Sequence, residues 1–171
     1  MSEKDVIINR VANSPLITFD LEEFYHPGKR VLIDIRDQLF QGLILKEKDF
    51  RAWVKEMDWS AYKDMNVAIW CSGDAIIPTW AYMLLATRIS PLAHMVIFGT
   101  LDDLERVLYQ NALSSIDIEK FRDKKIVIKG CGKYQVPDSA YVEITRILTP
   151  VASSIMYGEA CSTVPLYKKP K

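Results

Sequence analysis

Five consecutive apolar positions, Val67-Ala68-Ile69-Trp70-Cys71, lead through the loop Ser72-Gly73-Asp74 into a helical stretch that opens at Pro78 and runs to Ile89, just before Pro91. Such a run reads as a buried strand, and proline suits the first turn of a helix and the chain just past its end. Met95-Val96-Ile97-Phe98 is a second strand, Gly99 a turn, and Leu101, Leu104, Val107 and Leu108 line one face of the next helix. The same order returns further on. Ile126-Val127-Ile128 is a strand, Gly130-Cys131-Gly132 a tight turn, and Ala140, Ile144 and Leu148 form the inner face of a helix closed by Pro150. A shift of 59 residues carries Pro78, Ala81, Tyr82, Pro91 and Gly99 onto Pro137, Ala140, Tyr141, Pro150 and Gly158. A strand, a crossover helix and a parallel strand form a right-handed unit. The expectation is an α/β fold: a single domain over 1–171, with a mixed, mostly parallel sheet flanked by helices and βαβ repeat units at 66–99 and 125–158.

Around this framework, Leu16 to Phe19 and Val31-Leu32-Ile33-Asp34-Ile35 read as strands, as does Leu43-Ile44-Leu45. Phe50, Trp53, Val54 and Met57 place an apolar stripe on a helix from Glu47 to Met57. Ile155-Met156-Tyr157 reads as the last strand, leaving Glu159 to Lys171 as an irregular tail. The 22 basic and 22 acidic residues cancel, so the charge balance carries no nucleic-acid footprint. The longest apolar stretch, Ala75 to Ala86, is broken by Pro78 and is too short for a membrane span. The amino-terminal residues lack the continuous apolar core of a secretory leader, which points to the cytoplasm.

Three cysteines, Cys71, Cys131 and Cys161, are an odd set with wide spacing, unlike a disulfide framework, and read as reduced thiols. In an open parallel sheet ligands bind beyond the carboxyl ends of the strands. Each cysteine lies at or shortly after the end of a predicted strand, so the three are expected along one rim, close to the helix amino termini near Pro78 and Pro137. Thiolates there suit zinc or an iron-sulfur cluster, with Asp74 and Glu159 in the same loops as candidates for a further ligand. His94 precedes its strand and belongs to the opposite edge, and His26 reads as a loop histidine. Against this, free cysteine packs well as a small hydrophobe, whereas Cys161 has the polar neighbours Glu159, Ser162 and Thr163. Trp53, Trp59, Trp70 and Trp80 read as core, and Asp34, Arg36 and Asp37 as a surface ion-pair cluster.

The stretches LILKEKDFR, IPTWAYMLLA, IVIKGC, SAYVEITRIL and GEACSTVPLYK resemble an uncharacterised bacterial family filed as domain of unknown function 2480, over nearly the whole chain. The resemblance implies genes neighbouring the sulfur-mobilisation operon of iron-sulfur cluster assembly. With the thiol rim, it gives the expectation of a non-catalytic, thiol-based metal or iron-sulfur accessory protein whose partners are iron-sulfur assembly proteins. A local similarity runs to rhodanese sulfurtransferases, in VLIDIRD and VAIWCSG followed by a helix, and implies Cys71 as the persulfide-carrying residue. The loop departs from that pattern: Gly73 comes at the second place after the cysteine, and Asp74 and Ala75 follow where the family has an arginine soon after. A binding scaffold with structural cysteines is the third alternative.

Overall fold

A computed structural model of the chain describes residues 16–159 and 161–170. The amino-terminal stretch that carries the leader reading, apart from Leu16, lies outside the described residues. The strands are β1 (Leu16–Asp20), β2 (Arg30–Asp34), β3 (Asn66–Trp70), β4 (Met95–Phe98), β5 (Lys125–Lys129), β6 (Ser154–Glu159) and β7 (Ser162–Lys168). The α-helices are α1 (Glu47–Glu56), α2 (Thr79–Ile89), α3 (Leu101–Ser114) and α4 (Asp138–Leu148). The α/β class and the predominance of parallel pairing are as expected, but the strands form two sheets where one was expected. β1 pairs with β5 and not with β2, so each βαβ segment has its own first strand and its own sheet. The chain accordingly divides into two compact units: an inserted unit, His26–Leu108, and a host unit made of the residues up to Tyr25 and from Tyr109 onward.

In the inserted unit the order is β2-β3-β4, all parallel. Val67, Ala68 and Ile69 of β3 are buried, which is why this strand lacks polar alternation. Ala81, Leu85 and Ile89 recur every four residues and turn one face of α2 to the core, joined there by Phe50 and Val54 of α1. Burying each large apolar side chain of this kind contributes about 1.5–3 kcal/mol. Trp59, in a 3-10 turn before β3, donates its indole N–H to the Val54 carbonyl at 2.9 Å, so the ring is buried with its polar atom satisfied.

In the host unit the order is β1-β5-β6-β7, with β7 antiparallel. Ile126, Val127 and Ile128 of β5 are buried, with Ala140, Ile144 and Leu148 of α4. Tyr109 and Leu113, from the second half of α3, complete this core. A shift of 59 carries Phe50 and Val54 onto Tyr109 and Leu113, and Ala81, Leu85 and Ile89 onto Ala140, Ile144 and Leu148. It also carries Asp64 onto Asp123. Both have positive φ, 58° and 55°, and their N–H groups donate to the Leu92 and Val151 carbonyls at 3.0 and 2.8 Å. Each unit opens alike: the last residue of the first strand, Asp34 or Asp20, accepts the N–H two residues on at 3.0 Å and starts a 3-10 turn.

Two elements differ from expectation. Leu43-Ile44-Leu45 forms no strand. Gln41 and Gly42 take positive φ in a tight turn, leaving a lone bridge from Phe40 to Ile44 with Leu43 and Ile44 exposed. The tail after Glu159 is not irregular but contains β7. Pro165 within it lacks a backbone N–H, which is tolerated because β7 is an outer strand, and the register shifts between Ile155 and Met156 opposite it.

Candidate thiol site

The host unit places Cys131 immediately after β5. Gly130 has no side chain, and a Cβ there would stand 2.8 Å from the Tyr141 hydroxyl. The glycine thus lets α4 bring its tyrosine against the loop. Cys131 is exposed, and its Sγ lies 3.8 Å from the Tyr157 hydroxyl. The two tyrosine rings meet edge to face at 5.7 Å. Both border a cavity of about 460 Å³ that Ile128, Thr145 and Leu166 help to line. Burial, with negative charge on Cys131 and Tyr157 adding to it, pushes Tyr141 up to about 12. The hydrogen bond to Cys131 also raises Tyr157. Both phenols therefore keep their protons at neutral pH and are available as donors.

The loop after Cys131 is held from below. The Glu22 carboxylate accepts the N–H groups of Gly132, Lys133 at 3.0 Å and Tyr134 at 3.4 Å. The Lys133 bond chiefly, then those of Gly132 and Tyr134, hold Glu22 below its ordinary value against the opposing effect of burial. Tyr25 stacks on Tyr134 with ring centres 3.9 Å apart. Asp20, at the end of β1, pairs with Lys129 at 3.1 Å.

Cys71 in the inserted unit has a different setting. It is 8% exposed, and its sulfur lies 3.9 Å from the Gly73 carbonyl oxygen. The next residue is tied to Asp34, which accepts the Ser72 N–H at 3.0 Å and the Ser72 hydroxyl at 2.5 Å. Burial pushes Asp34 up, but these bonds and the Arg36 N–H outweigh it and hold the carboxyl low. Tyr82 is raised by burial, with Cys71 and Asp34 adding to it. Cys71 is thus a buried thiol whose neighbouring Ser72 donors are engaged by a carboxylate.

Cys161 is exposed in the turn between β6 and β7, and Glu159 ends β6 opposite Ser162. Cys71 and Asp74 belong to the inserted unit, and Cys131, Glu159 and Cys161 to the host unit. Among the described residues no three His, Cys, Asp or Glu side chains are grouped to hold a metal ion.

Sequence reasoning missed Tyr141 and Tyr157 as neighbours of a thiol. It also missed the pairing of His26 with His94, whose rings stack at 3.9 Å. Both histidines precede strands that flank β3, so the parallel topology itself sets them at the amino-terminal edge. His26 Nδ1 accepts the Gly28 N–H at 3.1 Å and lies 2.9 Å from Nδ2 of the fully buried Asn66. Burial chiefly, then charge on His94 and Arg30, hold His26 below its ordinary value, with Glu105 opposing.

Fold and site together define an α/β protein of two units, one on an all-parallel sheet and one on a sheet whose outer strand β7 is antiparallel, with an exposed thiol beside the Tyr157 phenol just after β5. The chain belongs to the family described as protein of unknown function (DUF2480), whose family model matches residues 5–169. No curated protein and no solved structure matches it. Among the described residues no helix is long and apolar enough to cross a membrane.

Proposed function

We propose that the protein is a thiol-based accessory protein of iron-sulfur assembly in which Cys131 carries a sulfane sulfur as a persulfide. The observation that supports this is an exposed sulfur 3.8 Å from the Tyr157 hydroxyl, with the second protonated phenol, Tyr141, packed edge to face on Tyr157. The two phenols line a cavity together with Asp138. Hydroxyl donors favour an anion such as Cys–S–S⁻, and such bonds are among the stronger ones in proteins. They offer nothing comparable to a bound cation. The donor set expected for zinc or an iron-sulfur cluster is not gathered among the described residues, so no step runs through a metal.

The transfer is balanced. The Cys131 thiolate attacks the outer sulfur of a donor persulfide R–S–S⁻, the donor S–S bond breaks, the Cys131 S–S bond forms, and R–S⁻ leaves with no net oxidation. The partners in this reading are the proteins that supply the sulfur and take it onward. Cysteine desulfurase with cysteine is the test donor, and mass spectrometry of the trapped persulfide is the readout. One added sulfur on Cys131 is expected, absent from Cys131→Ser, with the rate falling roughly tenfold per 1.4 kcal/mol of lost stabilisation in Tyr141→Phe and Tyr157→Phe. Labelling confined to Cys71 or Cys161, or no labelling at all, overturns the proposal.

A further inference from the structure

The cavity beside Cys131 has a counterpart in the inserted unit, built without most of its polar groups. A shift of 59 carries six residues lining a cavity of about 670 Å³ on β3, α2 and β4 onto six lining the cavity of about 460 Å³ in the host unit. Ile69 and Tyr82 are matched by Ile128 and Tyr141, but Thr79 is matched by Asp138, Ala86 by Thr145 and Phe98 by Tyr157. In the loop after the central strand, Ser72 is matched by Cys131.

Packing does not call for the added groups, because Ala86 and Phe98 line the same frame in the inserted unit. Thr145 is accounted for within its helix, where its hydroxyl donates to the Tyr141 carbonyl at 2.7 Å. No such local bond explains Asp138. α4 opens after Pro137 as α2 opens after Pro78, neither with a side-chain cap bond, so a helix starts in this frame on Thr79 with no carboxylate. Among the described residues Asp138 makes no ion pair, and no basic side chain lines the cavity. Tyr157 is raised first by its bond to Cys131 and last by the charge of Asp138, so the carboxylate lies within electrostatic reach of the phenol that meets the sulfur. A carboxylate there opposes the anion that Cys131 carries as a thiolate or persulfide. A cation brought in by the ligand relieves that opposition and gives Asp138 a partner.

We infer that one of the sulfur carriers exchanging with Cys131 is a small aminothiol, its ammonium group held by Asp138 and its carbon stem by Ile128 and Val142. The inference rests on the persulfide reading of Cys131 and names the substrate class for it. The cavity volume suits a small molecule. With cysteamine as the aminothiol, the Cys131 thiolate attacks the outer sulfur of cysteamine persulfide, the donor S–S bond breaks as the Cys131 S–S bond forms, and cysteamine leaves as its thiolate with no net oxidation.

The test compares two donors to the full chain: cysteamine persulfide, and 2-mercaptoethanol persulfide, which has a hydroxyl in place of the ammonium. Mass spectrometry follows the added sulfur on Cys131 with time. The ratio of the two rates, compared between proteins, cancels the intrinsic reactivity of the donors. From wild type to Asp138→Asn, and likewise to Asp138→Thr, the preference for the amine should fall about fivefold. Asp138→Thr installs the residue found at the matched helix start, and circular dichroism checks the fold of both variants. A ratio unmoved in the folded variants overturns the inference and leaves Cys131 as the persulfide carrier. Labelling of Cys131 by cysteine desulfurase but by neither small donor does the same. No label from any donor overturns the persulfide reading and the inference with it.

Discussion

Asn66 opens β3 fully buried, donating from Nδ2 to His26 Nδ1 and to the Gly28 carbonyl at 3.1 Å, while its Oδ1 has no partner. Because Nδ1 of His26 already accepts the Gly28 N–H, a proton arriving there opposes two donors at once. The folded His26 titrates below its ordinary 6.5, so the unfolded chain takes up a proton first as the pH falls. Stability from this group is therefore full above about 6.5 and declines below it, until the folded histidine titrates too. Urea midpoints measured from about pH 7.5 to about pH 5.5 should fall, and His26→Ala should flatten that slope. The same variant should lower stability by about 1–3 kcal/mol at the upper pH, because it strips the acceptor from two donors, one of them buried. Glu22 follows the carboxylate sign: its contribution is present above 4.5 and is lost as the pH falls through its lowered folded value. Glu22→Gln should remove that acid limb and speed proteolysis of the loop at Lys133, read by timed trypsin digestion. Neither contact is written in the local sequence. His26 and Asn66 are 40 residues apart and Cys131 and Tyr157 are 26 apart, and only the strand order joins them.

At the scale of elements, the hairpin of β6 and β7 controls the candidate site, because Tyr157 lies on β6 and Leu166 on β7. Gly158 makes the hairpin possible: its φ is +118°, and a Cβ there would stand 2.6 Å from the Ser162 carbonyl oxygen. Gly158→Ala forces a left-handed conformation and a clash with backbone together, and should cost about 1–3 kcal/mol in thermal unfolding. Loosening Tyr157 should also raise the rate of iodoacetamide alkylation at Cys131 and leave the buried Cys71 unchanged, which peptide mapping separates. β7 was illegible because Pro165 interrupts its pattern and most of its side chains are exposed. The opposite error occurred at Leu43-Ile44-Leu45, where apolar character suggested a strand but Leu43 and Ile44 stay in solvent. The helices α1, α2 and α4 and the strands β3 and β5 were legible because their apolar spacing is dictated by a face that is actually buried, as Leu85 and Ile144 show, whereas β4 was legible from its unbroken apolar run alone.

For the whole molecule, the decisive event is the pairing of β1 with β5, across more than a hundred residues of intervening chain. Nothing local announces it: Leu16 to Phe19 reads equally well as a neighbour of any parallel strand. It is what makes the host unit discontinuous and assigns Cys71 to one unit and Cys131 and Cys161 to the other, so the rim expected from strand ends alone was drawn on a single sheet. Each unit has its own buried cluster, one around Leu85 and the other around Ile144, at matching positions 59 residues apart. Leu85→Ala and Ile144→Ala should each cost about 2–5 kcal/mol, since each leaves a cavity in a fully buried site. Hydrogen exchange tells where that loss is felt. Leu85→Ala should raise exchange at the Val67, Ala68 and Ile69 amides and spare those of Ile126, Val127 and Ile128, and Ile144→Ala should do the reverse. As each residue sits in its own buried cluster, the double variant should add within about 0.5 kcal/mol. If either substitution instead exposes the amides of β3 and β5 alike, the two clusters unfold as one cooperative body, and the division seen in the contacts has no thermodynamic counterpart.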